Sequence, residues 1–318
     1  MLDESYLEKG ITGLARAIDH SWNQGHMGCA VIAAYYLCRD VGLDAEAESE
    51  IRAEVDKMIA AYSHLFVPLD TSSRSGGDLE QIPQALEGNV SRLCPGGHNV
   101  IYAALALKAL KQMPQMITPE VVAGIARLIG AFTAMSPRPD MFGIDVDSTA
   151  SVDAPGAYAD AASIAAFTFG EILAFRPMYY EIQGVVGHLV THAHMLIELS
   201  ELGYPELAES AAGAHQEHVR RVRLFHDRFD VGRWTPVQPD HPDPLNPLFW
   251  TRDREAMAAD SWGYGHFFKY RYQFYDLLER VQDPGLRQAC RARMADYIMN
   301  DFKGQGRMPT ELFVPIAS

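Results

Sequence analysis

Residues His98–Met113 read "HNVIYAALALKALKQM". The run is apolar on every side of a helix, poor in β-branched residues and too long for an ordinary strand. Three further stretches have this character: "HMGCAVIAAYYLCRDVG" from His26, "HLVTHAHMLIELSELG" from His188 and "HFFKYRYQFYDLLERV" from His266. Amphipathic stretches lie between them, at Glu46–Ala61, Pro119–Met135, Pro205–Phe225 and Pro284–Phe302. Pro119 and Pro205 fall near helix starts, where a missing N–H costs nothing. No alternating strand series is present, so the expected fold is all-α. It is read as a single domain of repeated helical hairpins over residues 1–318 around a histidine-rich centre.

Two segments break the helical pattern. Ser136–Gly156 is rich in Pro, Gly, Asp and Ser, and Arg233–Asp253 is rich in Pro with three aromatics. Loops this long in a compact domain are usually lids, binding segments or disordered.

A diffuse repeat runs through the chain. Gly25-His26, Gly97-His98, Gly187-His188 and Gly265-His266 each open an apolar stretch, at uneven intervals. If the four buried helices share an orientation, they begin at one end of the domain and their histidines converge. The plain alternative for each is a core histidine bonded to a carbonyl at a helix start. Recurrence at four equivalent places favours a metal site, because neutral imidazole is the commonest protein metal ligand. His20 stands two residues before Trp22 and is read as backing the site. His64, His215, His218, His226 and His241 lie on amphipathic helices or loops and are expected to be solvated.

Within "GHLVTHAHMLIEL", His188 and His192 are four apart and share a helix face. Thr191 and His194 are three apart on a neighbouring face. Thr191 is read either as a partner of a ligand or metal-bound water, or as back-bonded to its own helix. His266 and Lys269, three apart, can point into one site. Burial lowers a lysine pKa, and a neutral amine reacts with CO₂ to give a carbamate, an oxygen donor on a long arm. The alternative is a snorkelling lysine with its ammonium in water.

Composition excludes several classes. A net charge of −14 disfavours nucleic acid. No apolar run approaches a membrane span. The start "MLDESYLEKG" lacks a signal-peptide layout, and four scattered cysteines without CxxC suit a reducing cytoplasm. HExxH, P-loop, nucleophile-elbow and GxGxxG motifs are absent.

Taken in order, "GHMGCAVIAAYYL", "GHNVIYAALALKAL", "HLVTHAHMLIEL" and "HFFK" resemble the motifs of the questin oxidase-like family. They span residues 26–269. The third matches its His-x-Val-Thr-x-x-His pattern through His188, Val190, Thr191 and His194. The fourth matches its His-x-x-Lys pattern. The resemblance implies an all-helical oxygenase that uses O₂ to open rings of anthraquinone-type polyketides in secondary metabolism. It implies non-haem Fe²⁺ held by His26, His98, His194 and His266 with a carboxylated Lys269, and Thr191 near the open position. His188 replaces His194 or stands behind it. Manganese and zinc use overlapping ligand types. The aromatic substrate would lie against Trp262, Tyr264, Phe267, Tyr270 and Tyr102, with His192 beside it. These aromatics are equally readable as core.

Three other readings compete. The His226-Asp227 pair suggests a helical metal-dependent hydrolase. Asp145, Asp147 and Asp153 suggest a metal-free α/α-toroid lyase or isomerase. A binding protein would keep the histidines for structure alone.

Overall fold

The computed structural model describes residues 2–69, 76–135, 157–174, 180–228 and 261–294. Among them every regular element is helical: α1 (Glu4–Ala17), α2 (Gly25–Asp40), α3 (Ala45–Ala61), α4 (Gln81–Glu87), α5 (His98–Gln112) and α6 (Pro119–Ala131). They continue with α7 (Ala161–Ala174), α8 (Tyr180–Glu201), α9 (Pro205–Arg228), α10 (Ser261–Glu279) and α11 (Pro284–Met294). The expected all-α architecture is the one observed, and no described helix is long and apolar enough to cross a membrane.

Local chemistry places the helix starts. The Asp3 carboxylate accepts from the Ser5 N–H at 2.9 Å and starts α1. Asp44 does the same for Ala47 at 2.8 Å in α3. Thr118 caps α6 directly before Pro119, whose missing N–H is one of the unpaired donors of a first turn.

The four apolar helices form a closed ring. α2 packs on α10, α10 on α8, α8 on α5, and α5 returns to α2. This explains why α2 and α5 are buried nearly all round rather than along one stripe. The amphipathic helices cover the outside: α1 lies on α2 and α6, α3 on α2, α7 and α9 on α8, and α11 on α7.

Two helix starts differ from the sequence reading. His26 and His98 do sit in the first turn of α2 and α5. α8 begins at Tyr180 and α10 at Ser261, so His188 and His266 lie inside their helices. The helical pattern continues upstream of both Gly-His pairs, and the glycines are there for close packing rather than to start a helix.

Both Pro-rich segments lie outside the described residues, as do Asp145, Asp147, Asp153 and His241. The side chains of Trp262, Tyr264, His226 and Asp227 lie outside them as well.

Candidate metal centre

His26, His98, His188 and His266, one from each helix of the ring, come together in the core, all buried. The Nε2 atoms of His26 and His266 are 3.2 Å apart, those of His98 and His188 3.1 Å, and those of His188 and His266 3.1 Å. Two nitrogens about 2.1 Å from a common ion, at bond angles of roughly 90–110°, lie about 3.0–3.4 Å apart. The spacing therefore fits four imidazoles around one ion.

Glycine makes this approach possible. A Cβ on Gly265 would lie 2.5 Å from the His26 Cβ, and one on Gly97 would lie 2.6 Å from the His192 Nδ1. Gly25 and Gly187 meet the rings of Tyr102 and Tyr270 in the same way. The Gly-His repeat is thus a packing rule: each glycine admits the ring of a neighbouring helix. Gly265→Ala is expected to push α10 off α2, at a cost of about 1–3 kcal/mol. Metal affinity should fall with it. Chemical denaturation and metal titration of the variant check this, and unchanged affinity would show that the approach is not needed.

Tautomers follow from the hydrogen bonds. A carbonyl only accepts, so the His26 Nδ1–H donates to the Asn23 carbonyl at 2.7 Å, and the His98 Nδ1–H donates to the Pro95 carbonyl. Both Nε2 atoms are then lone pairs facing the cluster. His266 must donate to His26, and His188 must donate to His98. The third contact, between His188 and His266, then sets two N–H groups head to head. With both Nδ1–H groups given to these carbonyls, no neutral assignment satisfies all three contacts. Protonation offers no escape, because burial and the nearby Lys269 push His26 and His98 well below the usual histidine range. A cation resolves the conflict, since all four Nε2 lone pairs can point at it.

Two tyrosines back the ligands. Tyr102 Oη lies 2.5 Å from the His26 Nδ1, and Tyr270 Oη lies 2.9 Å from the His188 Nδ1. Such partners fix ring orientation and raise ligand basicity. Both rings are buried, so they serve as supports of the histidines. Phe267 is also core: the Arg271 guanidinium stacks 3.6 Å from its ring centroid.

Lys269 lies one turn after His266 and is 0% exposed. Its Nζ has no hydrogen-bond partner among the described residues, and it stands 5.8 Å from the centroid of the Tyr102 ring. Burial lowers its pKa to about 8. The amine is not snorkelling, which corrects that alternative: the helix ring closes over it.

His194 is placed elsewhere. Its Nε2 bonds the Asp276 carboxylate at 2.6 Å, with Glu198 3.7 Å away. This second group also brings three ligand-type atoms within 4.8 Å of one another. Its positive charge is already supplied: the Lys108 ammonium donates to Glu198 at 2.7 Å, and Arg280 lies 3.5 Å from Asp276. Burial alone would raise the Asp276 pKa, but the bond from His194 and the charges of Lys108 and Arg280 hold it well below the carboxylate range. The group is a buried ion network between α8 and α10. The Thr191 hydroxyl donates to the His188 carbonyl at 3.2 Å, the back-bonded alternative.

Three residues escaped the sequence reading. Trp22, half-buried, sits edge-on to His98 with ring centroids 5.6 Å apart. Only its position four residues before His26 hinted at this. His215 and His218 are buried and not solvated as expected. They fall on the same helical stripe as Ala211 and Val222, a spacing that would have revealed them. His64 is exposed as expected, and its ring packs against the exposed His20, 4.7 Å between centroids, so His20 does not back the centre.

Comparison with family models, curated proteins and solved structures finds no match.

Proposed function

We propose that this chain is a non-haem iron-dependent oxygenase that opens an aromatic ring with O₂, an anthraquinone-type polyketide being the substrate class. The observation that carries the reading is the buried four-histidine cluster, whose Nε2 atoms lie 3.1–3.2 Å apart, a spacing that suits ligands of one cation. The ordered motifs that resemble the questin oxidase-like family supply the reaction class.

His26, His98, His188 and His266 would hold the metal, and Lys269 as its carbamate would add an oxygen donor. The neutral Nζ lone pair forms an N–C bond with CO₂ and one N–H proton leaves to solvent. Burial favours the neutral amine that this step needs. Bound there, iron(II) would supply the O₂ chemistry that side chains lack. The chain's own residues orient and exclude: the carbonyls of Asn23 and Pro95 fix two imidazoles, Tyr102 and Tyr270 support two ligands, and burial keeps bulk water from the centre.

Elemental analysis of untagged protein is expected to give about one iron per chain. Oxygen uptake should then depend on an added aromatic polyketide. Protein that takes up no metal even after anaerobic iron loading would sink the reading.

A further inference from the structure

The inner face of α10 stays polar beyond the metal centre. His266, Lys269, Gln273 and Asp276 follow one another at steps of three, four and three residues, the stripe by which a helix meets its neighbours in a bundle. Such a stripe is ordinarily apolar. His266 belongs to the four-histidine cluster, and Asp276 bonds His194 in the ion network. The two residues between them, Lys269 and Gln273, are both 0% exposed. The Lys269 Nζ and both polar atoms of the Gln273 amide have no hydrogen-bond partner among the described residues. They therefore do not bond each other, although they stand one turn apart on one face. Helical side chains lean toward the N-terminus, so Gln273 covers the turn that carries Lys269.

An orphaned amide selects its partner by the order of its atoms. Its oxygen accepts and its NH₂ donates, side by side in one plane. An ionised carboxylate has only acceptors and strands the oxygen. A metal ion takes the oxygen and strands the NH₂. A single water meets only one of the two with good geometry. A group that sets an N–H parallel to an oxygen meets both, as paired amides do. The carbamate of Lys269 is such a group, because its N–H lies beside one of its two oxygens. The Nζ lone pair forms an N–C bond with CO₂, a C=O π pair moves onto oxygen, and one N–H proton leaves to solvent. The remaining N–H donates to the Gln273 Oε1, and the oxygen beside it accepts from the Gln273 Nε2. The second oxygen stays as the donor named above.

We propose that Gln273 is the positioning residue for a carbamate on Lys269, holding its N–H and one oxygen through the two polar atoms of its amide. The proposal rests on the oxygenase reading above and names the residue that stabilises its carbamate.

The test uses zinc-loaded full-length protein, which is diamagnetic, and ¹³C-labelled bicarbonate as the source of CO₂. The carbamate is read by ¹³C NMR. The wild type is expected to show a labelled carbamate that is absent from Lys269→Met. Gln273→Met keeps the length of the side chain and removes its polar atoms. Half-occupancy in this variant should need at least tenfold more bicarbonate, because two hydrogen bonds to the carbamate are lost. Zinc per chain should stay unchanged. Without CO₂ the variant should melt no lower than the wild type, since an unpaired buried amide has been removed. Labelling at wild-type affinity in Gln273→Met overturns the proposal and would mean that water satisfies the amide. Weaker labelling together with a lower melting temperature without CO₂ also overturns it, by giving Gln273 a packing role. No label on the zinc-loaded wild type overturns it as well and leaves the histidine centre standing. Protein that binds no metal yet carries a carbamate dependent on Gln273 would sink the oxygenase reading and keep this one. Normal metal content with labelling indifferent to Gln273 does the reverse.

Discussion

His188→Ala is expected to empty the metal centre, whereas His194→Ala leaves it filled. The His188 Nε2 touches two of the other three ligand nitrogens, at 3.1 Å each, so its loss opens the cluster. Metal affinity should fall by at least a hundredfold, and the rise in Tm on adding metal should disappear, since only a ligand that binds the folded state shifts its melting point. His194→Ala removes a hydrogen bond to a charged carboxylate and leaves Asp276 to Arg280 and solvent. That should cost about 1–3 kcal/mol of stability with metal stoichiometry intact. Metal content and thermal melts of the two variants settle the matter. The opposite pattern would place the ion at the second group, with His194, Glu198 and Asp276 as its ligands.

Lys269→Met should act in opposite directions on stability and activity. In metal-free protein the ammonium is buried without a partner, and methionine fills similar space with no polar atom. The variant should therefore be more stable than the wild type near neutral pH, by a few kcal/mol at most. The pH dependence follows from the lowered pKa of Lys269, about 8 in the fold against the ordinary 10.5. Below about 8 the lysine is charged in both states and the folded state bears the full penalty. Between about 8 and 10.5 the unfolded chain holds the extra proton, so wild-type stability rises with pH across that window. The advantage of the variant should shrink over the same interval. Urea melts of both proteins with chelator present, at several pH values, measure this. A constant difference would mean that Lys269 is paired in solution. Oxygen-dependent turnover, by contrast, should fall at least a hundredfold in Lys269→Met, and full activity would remove the carbamate from the site.

Much of this was legible in the sequence because it depends on local pattern. Helices apolar on every side must be buried, and "HNVIYAALALKALKQM" and its three counterparts form the closed inner ring. A histidine inside such a run needs a partner, which singled out His26, His98, His188, His194 and His266. The recurring glycine before each histidine marked the close approaches, although its meaning became clear only with the neighbouring rings in place.

Local pattern dictates the all-α class, the four buried helices and the histidines that must find partners. Which of those histidines meet is set by how the helices pack. His188 and His194 are six residues apart on α8, about 240° around the helix axis, and both are buried. Periodicity cannot choose between two faces that are equally apolar. The rotation of α8 in its contacts with α5 and α10 makes the choice, turning His188 into the cluster and His194 onto Asp276. The same packing closes over Lys269 and buries His215 and His218, because burial is a property of what lies opposite a side chain and not of its neighbours in the chain.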